Sequence, residues 1–228
     1  TQFKVKWEER KPKEVDFKNS KAVERAIQVV KETRIQLVDF DKEKNMLTDE
    51  EKSFGVSKQR EFPDIAEVAN SLKSFETTWL LLDQWQTELD EISSEDWLTY
   101  RTHIYDLKDF LDQWNDHANR VPPSDVSMYL IEKIRDLITY YPDITLVRGE
   151  NWTAEHWEEL GIILKYPKAM KINELKLSNI LENAEAIHKN VALIRKLSER
   201  AKGEGTIRSA LREVREWNMH TDFVLFEQ

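Results

Sequence analysis

The sequence predicts an all-α protein, an elongated stack of antiparallel helical bundles with long helices first and shorter helices in the C-terminal half. Two observations lead to this fold class. Apolar residues recur three and four residues apart over most of the 228 residues, as they do in amphipathic helices. Only 5 Gly and 6 Pro occur, which is less turn punctuation than an all-β or a doubly wound α/β domain requires.

Charge and composition argue against several classes of function. A net charge of −9 provides no basic surface for nucleic acid, and it disfavours binding to anionic membranes. The absence of cysteine removes disulfides and thiolate metal sites and fits a reducing cytosol. No apolar run reaches the roughly 18–20 residues of a membrane span. The chain starts at Thr1 rather than Met, which suggests a fragment of a longer protein.

Three parts are expected along the chain. Residues 1–19 are charged and contain Lys11-Pro12-Lys13, which indicates an irregular leading segment. A bundle of long helices is expected over 20–121, and a second helical bundle over 122–228. The second bundle ends in Phe223-Val224-Leu225-Phe226, which is too short for a helix of its own and is typical of a strand start.

The first long helix is expected to begin at Ser20, a suitable N-cap, and to run to about Phe54 with Gly55 as its stop. Thr48 followed by Glu51 has the spacing of a capping box, so a break near residue 47 is the alternative. The apolar positions of this helix are Val23, Ala26, Ile27, Val30, Leu37, Val38 and Met46.

Two heptad patterns predict a pair of antiparallel helices joined at Ser93-Ser94, each about 40 Å long at 1.5 Å per residue. The first begins at Pro63-Asp64, and the second ends before Pro122-Pro123, which cannot continue a helix. The stripe of the first is Ile65, Val68, Leu72, Phe75, Trp79, Leu82, Trp85, Leu89 and Ile92. The stripe of the second is Trp97, Tyr100, Ile104, Leu107, Leu111, Trp114, Ala118 and Val121.

A fourth helix is expected to start with Ser124 or Asp125 as its cap and to close at Pro142. A loop then covers Asp143–Asn151, and Thr153 caps a short helix. The buried residues are predicted to be Leu130, Ile134, Leu137 and Tyr141 in the fourth helix and Trp157, Leu160 and Ile163 in the short helix.

Pro167 ends the short helix, and the last third of the chain is helical again from about Asn173. Gly203-Glu204-Gly205 is predicted to be a flexible joint, with a final helix after it. The helical positions are Leu177, Ile180 and Leu181 in a short element, then Ala184, Ile187, Val191, Ile194, Leu197 and Ala201, and after the joint Ile207, Leu211, Val214 and Trp217.

No catalytic, cofactor-binding or metal-binding residue is predicted. Gly203-Glu204-Gly205 lacks the third glycine, the lysine and the preceding strand of a phosphate-binding loop. No two of the five histidines lie three or four residues apart, so no helix presents a paired zinc site. Ser94-Glu95-Asp96 is typical of a helix start rather than an acid/base pair. Asn151-Trp152-Thr153 matches a glycosylation sequon, but a cap role for Thr153 is the simpler interpretation.

Tryptophans at helical spacing could line a ligand pocket, but a bundle core is the simpler interpretation. The core set is Trp79, Trp85, Trp97 and Trp114. Their indole N–H groups would then need partners at the edge of the seam. Trp152 and Trp157 lie in and beside a loop, so they are the better candidates for anchoring one bundle to the next.

Several stretches follow one another in a recognisable order. The more specific ones are Glu155-His156-Trp157-Glu158-Glu159-Leu160, similar to Arg-His-Trp-x-x-Leu, and the block from Ser198 to Trp217 with Ile207 and Ala210-Leu211. The others are Lys6–Pro12, Glu51–Val56 with Phe62–Ile65, and Leu72–Trp85. Together they resemble the N-terminal, tail-proximal part of the linker region of dynein heavy chains over nearly the whole sequence. Glu155 stands where the family has Arg, and Gly205 loosens a joint that the family keeps helical.

The resemblance implies a mechanical, non-enzymatic role. The dynein linker is a helical arm that spans an AAA+ ATPase ring, bends and straightens with the nucleotide cycle, and connects the ring to the cargo-binding tail. The ATP sites and the microtubule-binding domain would lie elsewhere in the heavy chain. The implied partners are the AAA+ ring and tail of the same heavy chain and other dynein subunits, with no cofactor. The implied location is the cytoplasm and cytoskeleton, including the cilium or axoneme, and the isoform stays open.

An arm needs joints, and the candidates are Pro122-Pro123, Asp143–Asn151 and Gly203–Gly205. The alternative function is a spectrin-like helical scaffold or spacer that binds other proteins, which fits the heptad seams equally well but predicts long internal repeats that the sequence lacks. A third hypothesis, an enzyme with a site inside a helical bundle, would need a buried cluster of carboxylates with histidine.

Overall fold

The computed structural model describes residues 2–54, 62–166 and 172–220, with only the backbone at His220. Over these ranges the protein consists of helices and turns without a strand, and one isolated antiparallel bridge joins Asp96 to Lys176. The all-α prediction is confirmed. The helices are α1 (Gln2–Arg10), α2 (Ser20–Ser53), α3 (Pro63–Ser93), α4 (Trp97–Tyr100), α5 (Tyr105–Asn119), α6 (Asp125–Ile144), α7 (Ala154–Ile163), α8 (Leu177–Glu182), α9 (Ala184–Lys189) and α10 (Val191–His220), with 3₁₀ turns at Arg101–His103, Thr145–Arg148 and Ile172–Glu174.

The chain forms two compact units. The first contains Thr1–Leu89 and Gln113–Ile134, and the second contains Asp90–Asp112 and Arg135–Gln228. Helices α3, α5 and α6 each contribute residues to both units. The sequence predicts a division of the chain at Val121 into two successive bundles, 20–121 and 122–228. That division stays a prediction.

In the first unit, α1 shows that the leading segment is not irregular throughout. The Trp7 side chain on α1 is buried, its Nε1 donates a hydrogen bond to the Ser71 hydroxyl at 3.0 Å, and its ring meets Phe75 edge to face at 5.5 Å. The prediction of an irregular segment over 1–19 is wrong for Gln2–Arg10. The contact that orders this helix joins residues 64 positions apart, so no local pattern signals it.

The predicted stripe of α2 is buried over its first half, but Val38 and Met46 are exposed. The predicted N-cap, Ser20, is the first residue of α2, and Asn19 is the cap. α2 begins at Ser20 and continues without a break through Thr48, whose hydroxyl donates to the Lys44 carbonyl at 2.8 Å instead of capping a new helix. The predicted stop, Gly55, lies outside the described residues. α3 begins at Pro63, as predicted. The core that these helices contribute to the first unit is Val23, Ala26, Ile27, Val29, Val30, Val68, Leu72, Trp79, Leu81, Leu82 and Trp85.

The predicted third helix is interrupted. Trp97–Tyr100 forms α4, Arg101–His103 is a 3₁₀ turn, and α5 begins only at Tyr105. The Thr102 hydroxyl donates to the Thr99 carbonyl at 2.8 Å, so a side chain occupies an acceptor of the α-helical ladder at the interruption. The prediction of one unbroken helix is wrong, but its stripe is buried at Trp97, Tyr100, Ile104, Leu107, Leu111, Trp114 and Ala118.

Helix α6 begins one residue after Ser124, which caps it as predicted. The Ser124 hydroxyl accepts a hydrogen bond from the Ser127 amide at 3.1 Å, and the Ser127 hydroxyl accepts one from the Ser124 amide at 2.8 Å. This reciprocal pair is a capping box with serine in both positions. Pro122 and Pro123 separate α5 from α6, as predicted.

Pro142 does not close α6. The helix continues to Ile144, and Thr145–Arg148 follows as a 3₁₀ turn, so the predictions of a stop at Pro142 and of a loop over Asp143–Asn151 are wrong as far as Arg148. Ile144 and Val147 are fully buried, and this burial holds the segment in a helical path despite the hydrogen bond that proline removes.

Helix α7 begins after Thr153, as predicted, and Leu160 is buried on its inner face. The predicted joint at Gly203–Gly205 is wrong, because α10 passes through it without a break. Two helical glycines cost about 1 kcal/mol each, and packing along the preceding turns outweighs that cost. The residues that anchor this half of α10 are Ile194, Leu197 and Ala201. Pro167 and Phe223–Phe226 lie outside the described residues.

Candidate functional site

The described residues offer little chemistry. In that part of the chain no group of three or more His, Asp or Glu side chains could hold a metal ion, and no helix is long and apolar enough to cross a membrane. Within the second unit, however, polar and aromatic contacts concentrate between the start of α7 and the middle of α10. We call this set the α7–α10 clasp, and its members are Gly149, Asn151, Trp152, Thr153, His156, Trp157, Glu159, Arg200, Glu204, Gly205 and Arg208.

Gly149 forms the base of the clasp. Its φ of +62° lies in the left-handed region, a backbone conformation that residues with a Cβ atom rarely adopt. A Cβ atom at this position would also lie 2.4 Å from Cζ2 of Trp157 and 3.2 Å from Cδ2 of Trp152. The two indole rings pack on each other with centroids 4.7 Å apart. Glycine is therefore required both for the turn and for the space under the tryptophan pair.

Arg101 stabilises the same turn through hydrogen bonds to its backbone. Its Nη1 atom donates to the carbonyls of Arg148 and Gly149, at 2.8 Å in each case. Burial lowers the pKa of Arg101, although an arginine side chain stays charged in proteins. Arg148 in turn lies 2.7 Å from the carboxylate of Glu150. These contacts fix the chain immediately before α7.

His156 completes the N-terminus of α7. The Thr153 amide donates to Nδ1 of His156 at 3.1 Å, which satisfies a donor that the start of a helix leaves without a partner. Because Nδ1 accepts this bond, the neutral ring carries its proton on Nε2. That atom lies 3.3 Å from Oε2 of Glu204 on α10, and only 2% of the His156 side chain is exposed. One buried ring thus contacts both helices.

Arg200 supplies a second polar contact between the two helices. Arg200 of α10 donates to the Glu159 carboxylate of α7 at 2.5 Å, and this bond raises the pKa of Arg200. Arg200 and Arg208 each lie 3.6 Å from Glu204, one turn away on either side. Exposed ion pairs add little stability one at a time. The two Glu204 pairs lie within α10, whereas the Arg200–Glu159 pair joins the two helices and favours one register of α10 on α7.

Gly205 allows the closest approach. A Cβ atom there would lie 2.9 Å from both Cβ and Cγ of Asn151, whereas one at Gly203 would meet nothing within 4 Å. Beside this contact, Nη2 of Arg208 donates to the Asn151 carbonyl at 2.7 Å. The glycine predicted to loosen a joint is therefore a packing position.

Comparison with known proteins identifies the family of this segment. Residues 65–228 match the family described as dynein heavy chain, N-terminal region 2. The chain belongs to this dynein heavy chain family. It is 28% identical over 231 residues to cytoplasmic dynein 2 heavy chain 1 of Rattus norvegicus and 27% identical over 228 residues to that of Homo sapiens, covering 99% of this chain in both cases. The corresponding protein of Chlamydomonas reinhardtii is 26% identical over 97% of the chain.

The chain spans about 5% of the length of each of these dynein relatives. The resemblance drawn from sequence motifs is thus confirmed at the level of the family. The matched region is an N-terminal part of a dynein heavy chain.

The two most specific dynein motifs lie on opposite sides of the clasp. Glu155–Leu160 forms the first turns of α7, and the block from Ser198 to Trp217 forms most of α10. His156 and Glu204, one from each block, lie 3.3 Å apart. Motifs that are separate in the sequence of this dynein segment therefore meet in one contact.

The predicted burial of the four core tryptophans is confirmed, but the expected hydrogen-bond partner is missing among the described residues for the buried Trp85 indole. Trp79, Trp85, Trp97 and Trp114 are buried, and the Trp114 indole donates to the Glu88 carboxylate at 2.9 Å. Trp152 and Trp157 pack around the turn before α7, within the second unit, so their predicted role in anchoring separate bundles stays a prediction. Sequence reasoning missed the cap role of His156, although its place three residues after Thr153 is the capping-box position.

Proposed function

We propose that this chain is a non-catalytic mechanical linker segment of a dynein heavy chain. It would form the tail-proximal part of the arm that connects the AAA+ motor ring to the tail and transmits the power stroke in microtubule-based movement. The observation that carries the proposal is the family match over residues 65–228. ATP hydrolysis and microtubule binding would be performed by other parts of the heavy chain, and the sequence contains no phosphate-binding loop of its own.

The structure supports a load-bearing role in three ways. α10 is 30 residues long, or about 45 Å at 1.5 Å per residue. Its first half is packed against the core of the second unit through Ile194 and Leu197. Its middle is held by the clasp, in which Glu159 and His156 of α7 contact Arg200 and Glu204, one turn apart on α10. A helix with packing and polar register contacts resists sliding better than one held by apolar contacts alone.

The relatives also suggest a dynein class. The six matched proteins are all cytoplasmic dynein 2 heavy chains, from animals and from Chlamydomonas reinhardtii. We therefore propose that this segment belongs to a dynein 2 heavy chain that works on the cytoskeleton and in the cilium. Its partners would be the ring and tail of the same heavy chain, together with other dynein subunits.

Fluorescence resonance energy transfer between the arm and the ring tests the proposal. A donor dye would be attached through an unnatural amino acid at Lys196, an exposed position on α10, and an acceptor would be placed on the AAA+ ring of the full heavy chain. The proposal expects the transfer efficiency to change between the ATP-bound and nucleotide-free states. A second donor on the ring itself controls for movements within the ring.

A constant transfer efficiency across the nucleotide states, with the ring control unchanged, would contradict the linker role. That result would favour the alternative of a static helical scaffold, because a spacer keeps the same distance to the ring in every state.

A further inference from the structure

The N-terminal segment lies on the surface of the first unit. We call residues 2–17 the N-terminal strap, which consists of α1 and the irregular stretch that follows it. Trp7 is the only buried residue of α1, whereas Val30, Leu72 and Leu82 of α2 and α3 are almost completely buried. Segments with few buried apolar contacts open at a lower free-energy cost than the core on which they rest. The strap is therefore the part of this unit that separates most easily.

Helix α1 is attached to α2 and α3 by a short row of side chains. The Trp7 indole donates to the Ser71 hydroxyl at 3.0 Å and meets the Phe75 ring edge to face. Near the start of α1, the centroid of the Phe3 ring lies 4.8 Å from that of Phe40. The remaining contacts are ion pairs of Lys4 with Asp64 and Glu67, and of Arg10 with Glu32. One buried side chain thus anchors α1, because partly exposed ion pairs contribute little one at a time.

A second aromatic anchor ends the strap. The Phe17 ring stacks between Trp79 of α3, with centroids 6.0 Å apart, and Tyr129 of α6, with centroids 4.7 Å apart. Between the two anchors, residues 12–17 line one side of an open cavity of about 630 Å³, and α3 and the start of α6 line the other side. Atoms that border such a space lack contact partners on that side. The stretch before Phe17 is therefore not closely packed.

The contacts of the strap follow one another in the order of the sequence. Phe3, Trp7 and Phe17 meet α2 or α3 in turn, and α2 begins only at Ser20. Tension applied ahead of residue 2 therefore reaches the contact of Phe3 first and that of Phe17 last. A helix of 9 residues is not stable by itself in water, so α1 unwinds once its contacts are lost. At about 3.4 Å per residue, the released strap spans at most about 55 Å.

We propose that tension on the heavy chain peels the N-terminal strap from α2 and α3 and lengthens the connection to the tail, while the core of the first unit stays folded. When the load falls, the strap closes again, because Trp7 and Phe17 return to sites that the folded core of the first unit already presents. This proposal rests on the proposed function in one respect, namely that the tail lies on the N-terminal side of α1. It does not depend on movement of the arm with the nucleotide state.

Fluorescence resonance energy transfer under load tests the strap. The full-length heavy chain is held in an optical trap by its tail and its motor ring, without ATP. A donor at Lys6 of α1 reports the strap against an acceptor at Asp39 of α2, and a donor at Lys73 of α3 reports the core against the same acceptor. All three positions are exposed. We expect rising load to cause a reversible, stepwise loss of transfer from Lys6, while transfer from Lys73 is unchanged.

A matched pair of variants tests the anchor. Trp7→Ala should raise the fraction of open straps at a given load several-fold, because it removes the buried side chain of α1. Val5→Ala changes a residue of the same helix that is 58% exposed, and it should leave that fraction unchanged. If Trp7→Ala prevented folding of the first unit, Lys4→Ala combined with Arg10→Ala would provide the milder test with the same expected direction.

Three results would overturn the proposal. They are equal opening in Trp7→Ala and Val5→Ala, simultaneous loss of transfer from Lys6 and Lys73, and transfer from Lys6 that persists up to the load at which the core unfolds. The transfer between arm and ring is measured independently. A strap that opens under load in an arm that does not move with nucleotide would refute the linker role alone, and a closed strap in a moving arm would refute the strap alone.

Discussion

Gly205 on α10 lies against Asn151 so closely that a methyl group at position 205 would be 2.9 Å from the Asn151 Cβ atom. Two residues earlier in the same helix, Gly203 faces open space. Within one turn of α10, packing therefore requires glycine at position 205 but not at position 203. At Gly205 the absence of a side chain permits the contact between α10 and the turn before α7, whereas at Gly203 no contact requires glycine.

This difference predicts opposite effects of the same substitution. Gly203→Ala should stabilise the chain by up to about 1 kcal/mol, because alanine has the higher helix propensity. Gly205→Ala gains the same propensity but forces Asn151 away, so we expect it to be about 1–2 kcal/mol less stable than Gly203→Ala. Urea denaturation of both variants measures the difference. Equal stabilisation by both would contradict the close contact, and adding Asn151→Gly to Gly205→Ala should recover part of the loss.

Gly149 should be the most sensitive glycine in the second unit. Gly149→Ala combines a left-handed backbone, which costs about 1–2 kcal/mol for other residues, with an overlap against the Trp157 ring. We expect a total loss of about 2–4 kcal/mol in the free energy of unfolding. Gly161→Ala is the matched control within α7, since the nearest atom would be at 4.0 Å. A Gly149→Ala variant as stable as the control would show that this turn is not constrained.

His156 is predicted to act as a cap and as a contact to α10 at once. His156→Ala removes both functions and leaves a cavity, so we expect a loss of about 2–3 kcal/mol in urea denaturation. His156→Asn keeps a short polar side chain able to accept from the Thr153 amide, and it should recover about 1 kcal/mol of that loss. Identical stabilities for the two variants would mean that the hydrogen bond to Thr153 contributes nothing.

The docking of α1 should depend on pH. The hydrogen bond from Arg10 of α1 at 2.9 Å lowers the pKa of Glu32 on α2. A carboxylate whose pKa is lower in the folded state stabilises that state above its ordinary value of 4.5. This contribution is lost as the pH falls through the lowered value.

Hydrogen exchange of the α1 amides, corrected for intrinsic rates, measures this dependence. Protection should be constant near neutral pH and should fall below about pH 4.5, in the range where glutamate takes up its proton. The variant Glu32→Gln should weaken docking at neutral pH and flatten the pH dependence. An unchanged pH profile in this variant would show that the Arg10 pair does not hold α1.

Apolar periodicity correctly predicted the helices in which the regularly spaced apolar residues are also the ones that the fold buries. The stripe from Val68 to Trp85 in α3 is buried at every predicted position except Phe75, which is half-buried, because a heptad pattern specifies a helix and its inner face together. A cap at Ser124 or Asp125 was predicted for a similar reason, since the signal and the contact lie within one turn, and Ser124 is the one that caps.

The elements that the sequence mispredicted depend on contacts between distant residues. Proline and glycine normally end helices, but burial of Val147 maintains the path after Pro142, and the clasp holds α10 across Gly205. In the same way, α1 depends on the Trp7 contact with Ser71. Within the clasp, the His-Trp motif and the final block were each recognised in the sequence. The contact between His156 and Glu204 could not be predicted, because it depends on how the chain folds.

Coupling between ATP turnover and movement tests the central claim most directly. In the full-length heavy chain, Arg200→Ala with Arg208→Ala removes two charges from the clasp, and Arg195→Ala with Lys196→Ala removes two charges from exposed positions on the same helix. If the clasp transmits force, the first pair should slow microtubule gliding while ATP turnover is unchanged, and the second pair should alter neither. Unchanged gliding, or gliding that falls only in proportion to ATP turnover, would contradict a mechanical role for this segment.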